Sequence, residues 1–328
     1  MIMKIETKED ILSVLRMPDA EFEQTVMKEA KELHRTHNHN RLDGIAMLGY
    51  TNICKNQCLY CGMRSSNTLI PRFRIAPKDA LDMIQAAYSQ GFRKLFLVAG
   101  EDMGYGFDHL LEMITGARKI GMTHIATACG EFTKDQYAQL HEAGVDEYVL
   151  KFEMSDPETF NRLNPSTNFE KRMQGIQWIK ETGMELASGN IVDFPGQSLE
   201  QMADDILLMK KLEISWAPVI SYLPTTNTPL AKEGGPGSMS KCLKEISILR
   251  LMMPDANLTA QIPGHKLTDG LAGEEGNLAA LNAGANYLFA DLLPAGKVEA
   301  FHVVDNRITL GLDHIRHMAD LAGMNLEL

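Results

Sequence analysis

From residue 46 onward, short apolar runs alternate with longer amphipathic ones, and few folds accept that rhythm. The apolar runs fall at residues 46–50, 94–99, 124–128, 147–153, 185–192, 216–222, 258–262 and 287–292, each short enough for a buried strand. Between them, residues 77–90, 107–120, 134–143, 168–182, 199–212, 239–253 and 275–283 carry apolar side chains at helical spacing. A glycine follows most of these helices where a left-handed cap is needed: Gly91, Gly121, Gly144, Gly183 and Gly284. Strands buried on both faces and alternating with helices predict a parallel α/β barrel, (βα)8 of TIM type. Such a barrel places reactive groups at the C-terminal ends of its strands and in the loops that follow.

Residues 1 to about 45 read differently, with helical spacing over 8–15 and 20–34. They form an N-terminal helical extension packed on a barrel of residues 46–328, with no low-complexity linker dividing the latter. The run His34-Arg-Thr-His37-Asn-His39 reads as a solvated helix end or linker, because no carboxylate or cysteine completes a metal set. At 328 residues and 45% hydrophobic content, one core of barrel size is available. The 32 basic and 43 acidic residues leave a charge of -11, which argues against nucleic acid as a partner. No apolar run reaches membrane-spanning length, and the charged first ten residues are unlike a secretory signal, so a cytoplasmic location is expected. The twenty methionines read as core filler.

Directly after the first strand comes Cys54-Lys-Asn-Gln-Cys58-Leu-Tyr60-Cys61-Gly-Met63-Arg64. Three thiolates at this spacing can hold three irons of a 4Fe–4S cube and leave the fourth iron open to a small chelating ligand. Two plainer readings stand beside it. A structural zinc would want a fourth Cys or His nearby, and a disulfide would leave one thiol over. Polar residues also gather where strands end: Gly100-Glu101-Asp102 after the second, Cys129-Gly130-Glu131 after the third and Glu153 after the fourth. Asn190 and Asp193 close the fifth and Tyr222 the sixth; Thr259, Gln261 and His265 lie on or after the seventh, and Asp291 ends the eighth. Arg64, Arg72 and Arg74, beyond the cysteines, either neutralise the centre, bind an anionic substrate or are solvated loop charges. Cys129 and Cys242 read as packed thiols.

The cysteine spacing, with an aromatic before the last cysteine, resembles the radical S-adenosylmethionine (radical SAM) signature. The resemblance covers nearly the whole chain from about residue 20 and is nearest the subgroup of biotin synthase, the [FeFe]-hydrogenase maturase HydE and methylornithine synthase, above all HydE. Further stretches that carry it are Phe194-Pro-Gly-Gln197, Leu223-Pro-Thr-Thr-Asn-Thr-Pro-Leu230, Arg250-Leu-Met-Met-Pro254 and Asn282-Ala-Gly-Ala-Asn286. It implies an enzyme with a 4Fe–4S cluster on Cys54, Cys58 and Cys61 that cleaves S-adenosylmethionine to a 5′-deoxyadenosyl radical. It further implies a reducing, anaerobic setting and a low-potential electron donor of flavodoxin or ferredoxin type.

By the same resemblance, Gly100, Glu101 and Asp102 meet the cofactor's amino group, Glu153 its ribose or amino group, and Arg172 its carboxylate; Tyr60 lies near the adenine. The chain departs from its relatives at the substrate. Positions where biotin synthase binds its second cluster fall near Ala99, Ala126, Ala187 and Thr259, none a thiol or guanidinium. The sixth-strand arginine of methylornithine synthase is replaced by Pro218 or its neighbours, and no cysteine follows Cys242 to form the accessory cluster of some HydE proteins. A pocket of Lys151, Asn190, Tyr222, Thr259, Gln261 and His265 is therefore expected to take a small anionic molecule, amino-acid- or thiol-derived. The alternatives are a carbon-skeleton rearrangement and, from another class, an iron–sulfur or precursor carrier.

Overall fold

The structure is a computed structural model that describes residues 4–307 and 310–328. Helices α1 (Lys8–Arg16), α2 (Asp19–Gln24) and α3 (Val26–His37) precede strand β1 (Arg41–Thr51). There follow α4 (Pro77–Ser89), β2 (Lys94–Ala99), α5 (Phe107–Ile120), β3 (His124–Ala128), α6 (Lys134–Ala143) and β4 (Glu147–Val149). Next come α7 (Pro157–Leu163), α8 (Phe169–Thr182), β5 (Glu185–Ala187), β6 (Ile191–Val192) and α9 (Leu199–Leu212). Then β7 (Trp216–Ala217), β8 (Ile220–Ser221), α10 (Met239–Met252), β9 (Asn257–Leu258), α11 (Glu274–Asn282) and β10 (Tyr287–Asp291) complete the ring of strands. Short α12 (Ala295–Val298), α13 (Leu312–Ala322) and β11 (Asn325–Glu327) end the chain.

Helix boundaries follow from local chemistry. Thr7, Thr133 and Ser198 each open a helix with a reciprocal capping box, satisfying backbone N–H groups that have no partner within the helix. All five cap glycines read from the sequence adopt positive φ, between 88° and 116°, where a Cβ would be strained.

The strands run parallel in the order β10-β1-β2-β3-β4-β5-β7-β9. A single bridge, Thr259 to Tyr287, joins the two ends and closes the ring. Its lock is made of side chains. Asn286 Oδ1 accepts from Leu258 N–H (2.9 Å) and from Arg250 (2.8 Å), while its amide donates to Asn257 and to Asp43. Arg250, fully buried, also donates to the carbonyls of Gly284, Pro254 and Ala256. The guanidinium thus satisfies backbone groups that would otherwise be orphaned where the barrel closes.

Inside the ring, Ile45, Phe96, Ala126, Val149, Ala187, Trp216, Tyr287 and Phe289 form one buried layer. Phe96 meets Trp216 edge-on at 5.2 Å, and Phe289 lies 5.4 Å from the same indole, whose N–H donates to Thr259 at 2.9 Å. This plug makes the lower barrel a packed core. Truncating Trp216 to Ala would cost about 3–5 kcal/mol. A larger apolar layer lies between strands and helices.

Several expectations are corrected. The expected strands 185–192 and 216–222 are each broken: β6 and β8 leave the main sheet and pair with each other at its rim. The run 147–153 is a strand only to Val149, with Glu153 held beyond it by an isolated bridge to Asn190. β1 begins at Arg41 rather than residue 46, and β11, absent from the sequence reading, pairs with β1. His34 is not solvated; it is buried, its Nε2 facing the Arg41 carbonyl at 2.9 Å, and burial lowers its pKa to about 4.

Candidate active site

Beyond β1 the chain crosses the C-terminal mouth of the barrel as a loop with almost no regular structure. Asn52 fixes its start: its amide donates to the carbonyls of Pro71 and Ala300, and its Oδ1 accepts from Phe73 N–H. Arg72 sits beneath and donates to the carbonyls of Asn52, Met63, Arg64 and Asn67. That guanidinium holds the loop's shape and is not free for an anion. Arg74 is likewise committed, forking onto Asp102 with two bonds of 2.7 Å. Asp102 also accepts from Thr51 and Gly104 N–H, so its carboxylate joins the second strand's loop to the first.

Two glycines let this loop close. A Cβ on Gly100 would lie 2.2 Å from the Ile53 carbonyl oxygen, and one on Gly62 would lie 2.4 Å from the His302 carbonyl. Glu101 N–H reaches Cys54 Sγ at 3.4 Å, and the Glu101 side chain is held by Lys55 and Asn56. Cys54, Cys58 and Cys61 are half-buried free thiols, and all five cysteines are unbridged, which excludes the disulfide reading. Burial pushes each of the three upward, Cys58 to about 12; the charge of Cys54 raises Cys58 further, and those of Cys58 and Cys54 raise Cys61. Among the described residues no three His, Cys, Asp or Glu side chains are gathered as ligands around one metal ion. Three soft thiols without a fourth protein ligand, in a cradle only glycine permits, suit a larger iron–sulfur centre.

From Cys61 a cavity of about 430 Å³ descends into the barrel mouth. Tyr60, Met63, Lys151, Glu153, Arg172 and Tyr222 line it near the rim, and Thr259, Gln261 and Trp216 line it deeper in the barrel. Tyr60 is anchored by its hydroxyl on Asn164 (2.7 Å). Glu153 takes a left-handed backbone (φ 60°) and pairs with Lys151 at 2.9 Å. Such a conformation in a non-glycine residue costs of order 1 kcal/mol and is held here by strand-like bonds to Gly189 and Ile191. Arg172, on α8, donates to Glu131 (2.9 Å) and to the Lys151 carbonyl. Glu131 in turn accepts from Thr167 and faces Lys171, and the Arg172 guanidinium beside it holds its carboxyl below the usual range against burial.

Of the residues expected in the substrate pocket, Lys151, Tyr222, Thr259 and Gln261 line this cavity. Asn190 and His265 do not. Asn190 is buried behind the wall with its amide on Asp205, because β6 turns away from the barrel. His265 is exposed and held by Glu275 at 2.7 Å, since the segment after β9 swings outward before α11. Gly100, Glu101 and Asp102 support the cysteine loop from behind rather than lining the cavity. The sequence reading missed Arg307, which lines the cavity, pairs with Asp291 and stacks over Phe301 at 4.7 Å. No periodicity marks the irregular segment after β10, and Arg307 follows the polar Asp305-Asn306, so no local signal in the sequence pointed to it.

Comparison with known proteins adds the following. Residues 48–209 match the model of the Radical SAM superfamily. The chain is 28% identical to the [FeFe] hydrogenase maturase subunit HydE of Thermotoga maritima over 92% of its own length and 85% of the relative's. It is 26% identical to 3-methylornithine synthase of Methanosarcina acetivorans, over 89% of this chain and 81% of that one. Among solved structures it resembles a methylornithine synthase (PylB) at a TM-score of 0.86 and 23% identity, covering 98% of this chain and 94% of the other, a likeness of fold.

Proposed function

This chain belongs to the radical SAM superfamily, and on that premise we propose that it cleaves S-adenosylmethionine reductively and directs the radical onto a small substrate in the barrel mouth. Cys54, Cys58 and Cys61 would hold a 4Fe–4S cluster. When bound, that cluster supplies the electron, drawn from a low-potential flavodoxin- or ferredoxin-type donor, that turns S-adenosylmethionine into methionine and a 5′-deoxyadenosyl radical.

The observation that carries this reading is one cavity that begins at Cys61 and Tyr60, passes Glu153 and Arg172, and ends on Thr259 and Gln261. Glu153 offers a carboxylate for hydroxyls or an ammonium, and Arg172 a planar fork for a carboxylate. Apolar side chains that include Phe96, Trp216, Phe289 and Phe301 dominate the wall and limit the water around a species that would react with it. Lys151 and the Arg307–Asp291 pair bring charge to the cavity wall, which supports a small anionic or zwitterionic substrate, amino-acid- or thiol-derived, in a HydE-like enzyme. A carrier role gains no support, since a protein that only delivers a cluster has no use for a cavity beside it. Nor does a sixth-strand cation favour carbon-skeleton rearrangement, for Pro218 and Ile220 line the wall there.

Anaerobically reconstituted protein with dithionite and S-adenosylmethionine is expected to yield 5′-deoxyadenosine, and Cys58→Ala none. No product from the wild type, or equal product from Cys58→Ala, overturns the proposal.

A further inference from the structure

Behind the cavity wall lies a buried polar group that the proposed chemistry does not use. Glu245, in the middle of α10, is fully buried, and neither carboxyl oxygen has a hydrogen-bond partner among the described residues. It faces Asn190, Asp205, Lys151 and, on its own helix, Cys242. Asn190 is also fully buried; its amide donates to Asp205 Oδ2 at 3.2 Å, yet its Oδ1 has no donor among the described residues. Asp205 needs nothing further, since it accepts from Ser155 N–H (2.7 Å) and Gln197 (2.9 Å) as well. Two facing buried acceptors that no protein group among the described residues donates to are unfavourable unless a proton lies between them.

We infer that Glu245 is a neutral carboxylic acid whose O–H donates to Asn190 Oδ1, and that this bond makes it a positioning residue for Glu153 at the cavity wall. The link to Glu153 is direct. The backbone on either side of Asn190 pairs with Glu153: Glu153 N–H donates to Gly189 and Ile191 N–H donates to Glu153, both at about 3 Å. That ladder holds Glu153 in its left-handed conformation. The proton has a second consequence. An ionised Glu245 would draw on Lys151, which here pairs with Glu153; a neutral one leaves that pair intact. Burial, and then the charge of Asp205, drive the Glu245 carboxyl well above its ordinary value of 4.5, outweighing the Asn190 side chain and Lys151, which act to lower it. The significance of Glu153 rests on the function proposed above; the protonation of Glu245 does not.

Infrared difference spectroscopy of the full-length protein can see this proton without the cluster. At neutral pH the wild type is expected to show the C=O stretch of a buried protonated carboxylic acid, absent from Glu245→Gln. If the band is absent from the wild type, or persists unchanged in Glu245→Gln, the inference is overturned. The amide of Glu245→Gln can still donate to Asn190, so its affinity for S-adenosylmethionine, read from the EPR of the reduced reconstituted protein, should stay within about twofold of wild type. Glu245→Leu keeps the volume but removes the donor, and should weaken binding about tenfold. Equal affinity in Glu245→Leu and wild type removes the positioning role. Loss of cofactor binding in the wild type itself would instead count against the proposed function, with the infrared result unaffected.

Discussion

Arg72, Arg74 and Arg172 carry the same group and do three different things. Arg72 binds four carbonyls of its own loop, Arg74 is clamped on Asp102, and Arg172 alone faces the cavity. Which cation is structural was open in the sequence, because the partners that decide it, loop carbonyls for Arg72 and the Asp102 carboxylate for Arg74, are gathered only by the fold. His34 shows the same at the opposite end of the barrel, where burial and the charge of Arg250 lower its pKa from 6.5 to about 4. The sign follows from the neutral ring being the native form. Its stabilisation is complete above pH 6.5 and is lost as pH falls through about 4, amounting to about 3 kcal/mol. Asp205, pushed up to about 6 by burial, acts in the opposite direction, gaining stability as pH falls through about 6. Comparing denaturation of the wild type and His34→Gln between pH 7 and 4 isolates the histidine. The wild type should lose stability relative to the variant; parallel curves would refute the assignment.

Between elements, glycine sets how closely strand ends approach the cysteine loop. At the helix ends its use is conformational, and the sequence showed it: a periodic run followed by Gly predicts a left-handed cap, and five such caps are present. At Gly100 the reason is different, since its backbone needs no special conformation but has no room for a Cβ beside the Ile53 carbonyl. Backbone cannot give way as a flexible side chain can. Gly100→Ala should therefore keep its helical circular dichroism while taking up well under half the wild-type iron on reconstitution. Full iron incorporation would show that the loop does not depend on this approach. The broken strands 185–192 and 216–222 follow the same logic: their apolar runs are continuous, but pairing of β6 with β8 at the rim cannot be read from either run alone.

At the scale of the whole molecule, ligand binding and folding are linked. If the cavity binds S-adenosylmethionine only once the cysteine loop holds its cluster, the cofactor stabilises that form alone. At a hundred times Kd the gain is about 2.7 kcal/mol. In a chain of this size that should raise Tm by several degrees in anaerobic thermal denaturation of the reconstituted protein. Cys58→Ala, treated identically, should not respond; an equal rise in both would place the cofactor elsewhere.

The alternation of apolar runs, the cap glycines and the cysteine spacing are local or periodic signals, so the parallel barrel and the place of the cysteine loop at its mouth were legible in the sequence. Arg250-Leu-Met-Met-Pro254 and Asn282-Ala-Gly-Ala-Asn286 were visible as shared stretches, but only the tertiary structure shows them locking the ring closed. Asn190 and His265 were placed in the pocket because they follow strands, and both face elsewhere; Arg307 arrived from a segment without pattern. The division has one cause. Burying apolar surface imposes a period on the chain itself, whereas a buried charge is settled by whichever distant partner satisfies it, and that partner exists only once the ring has closed.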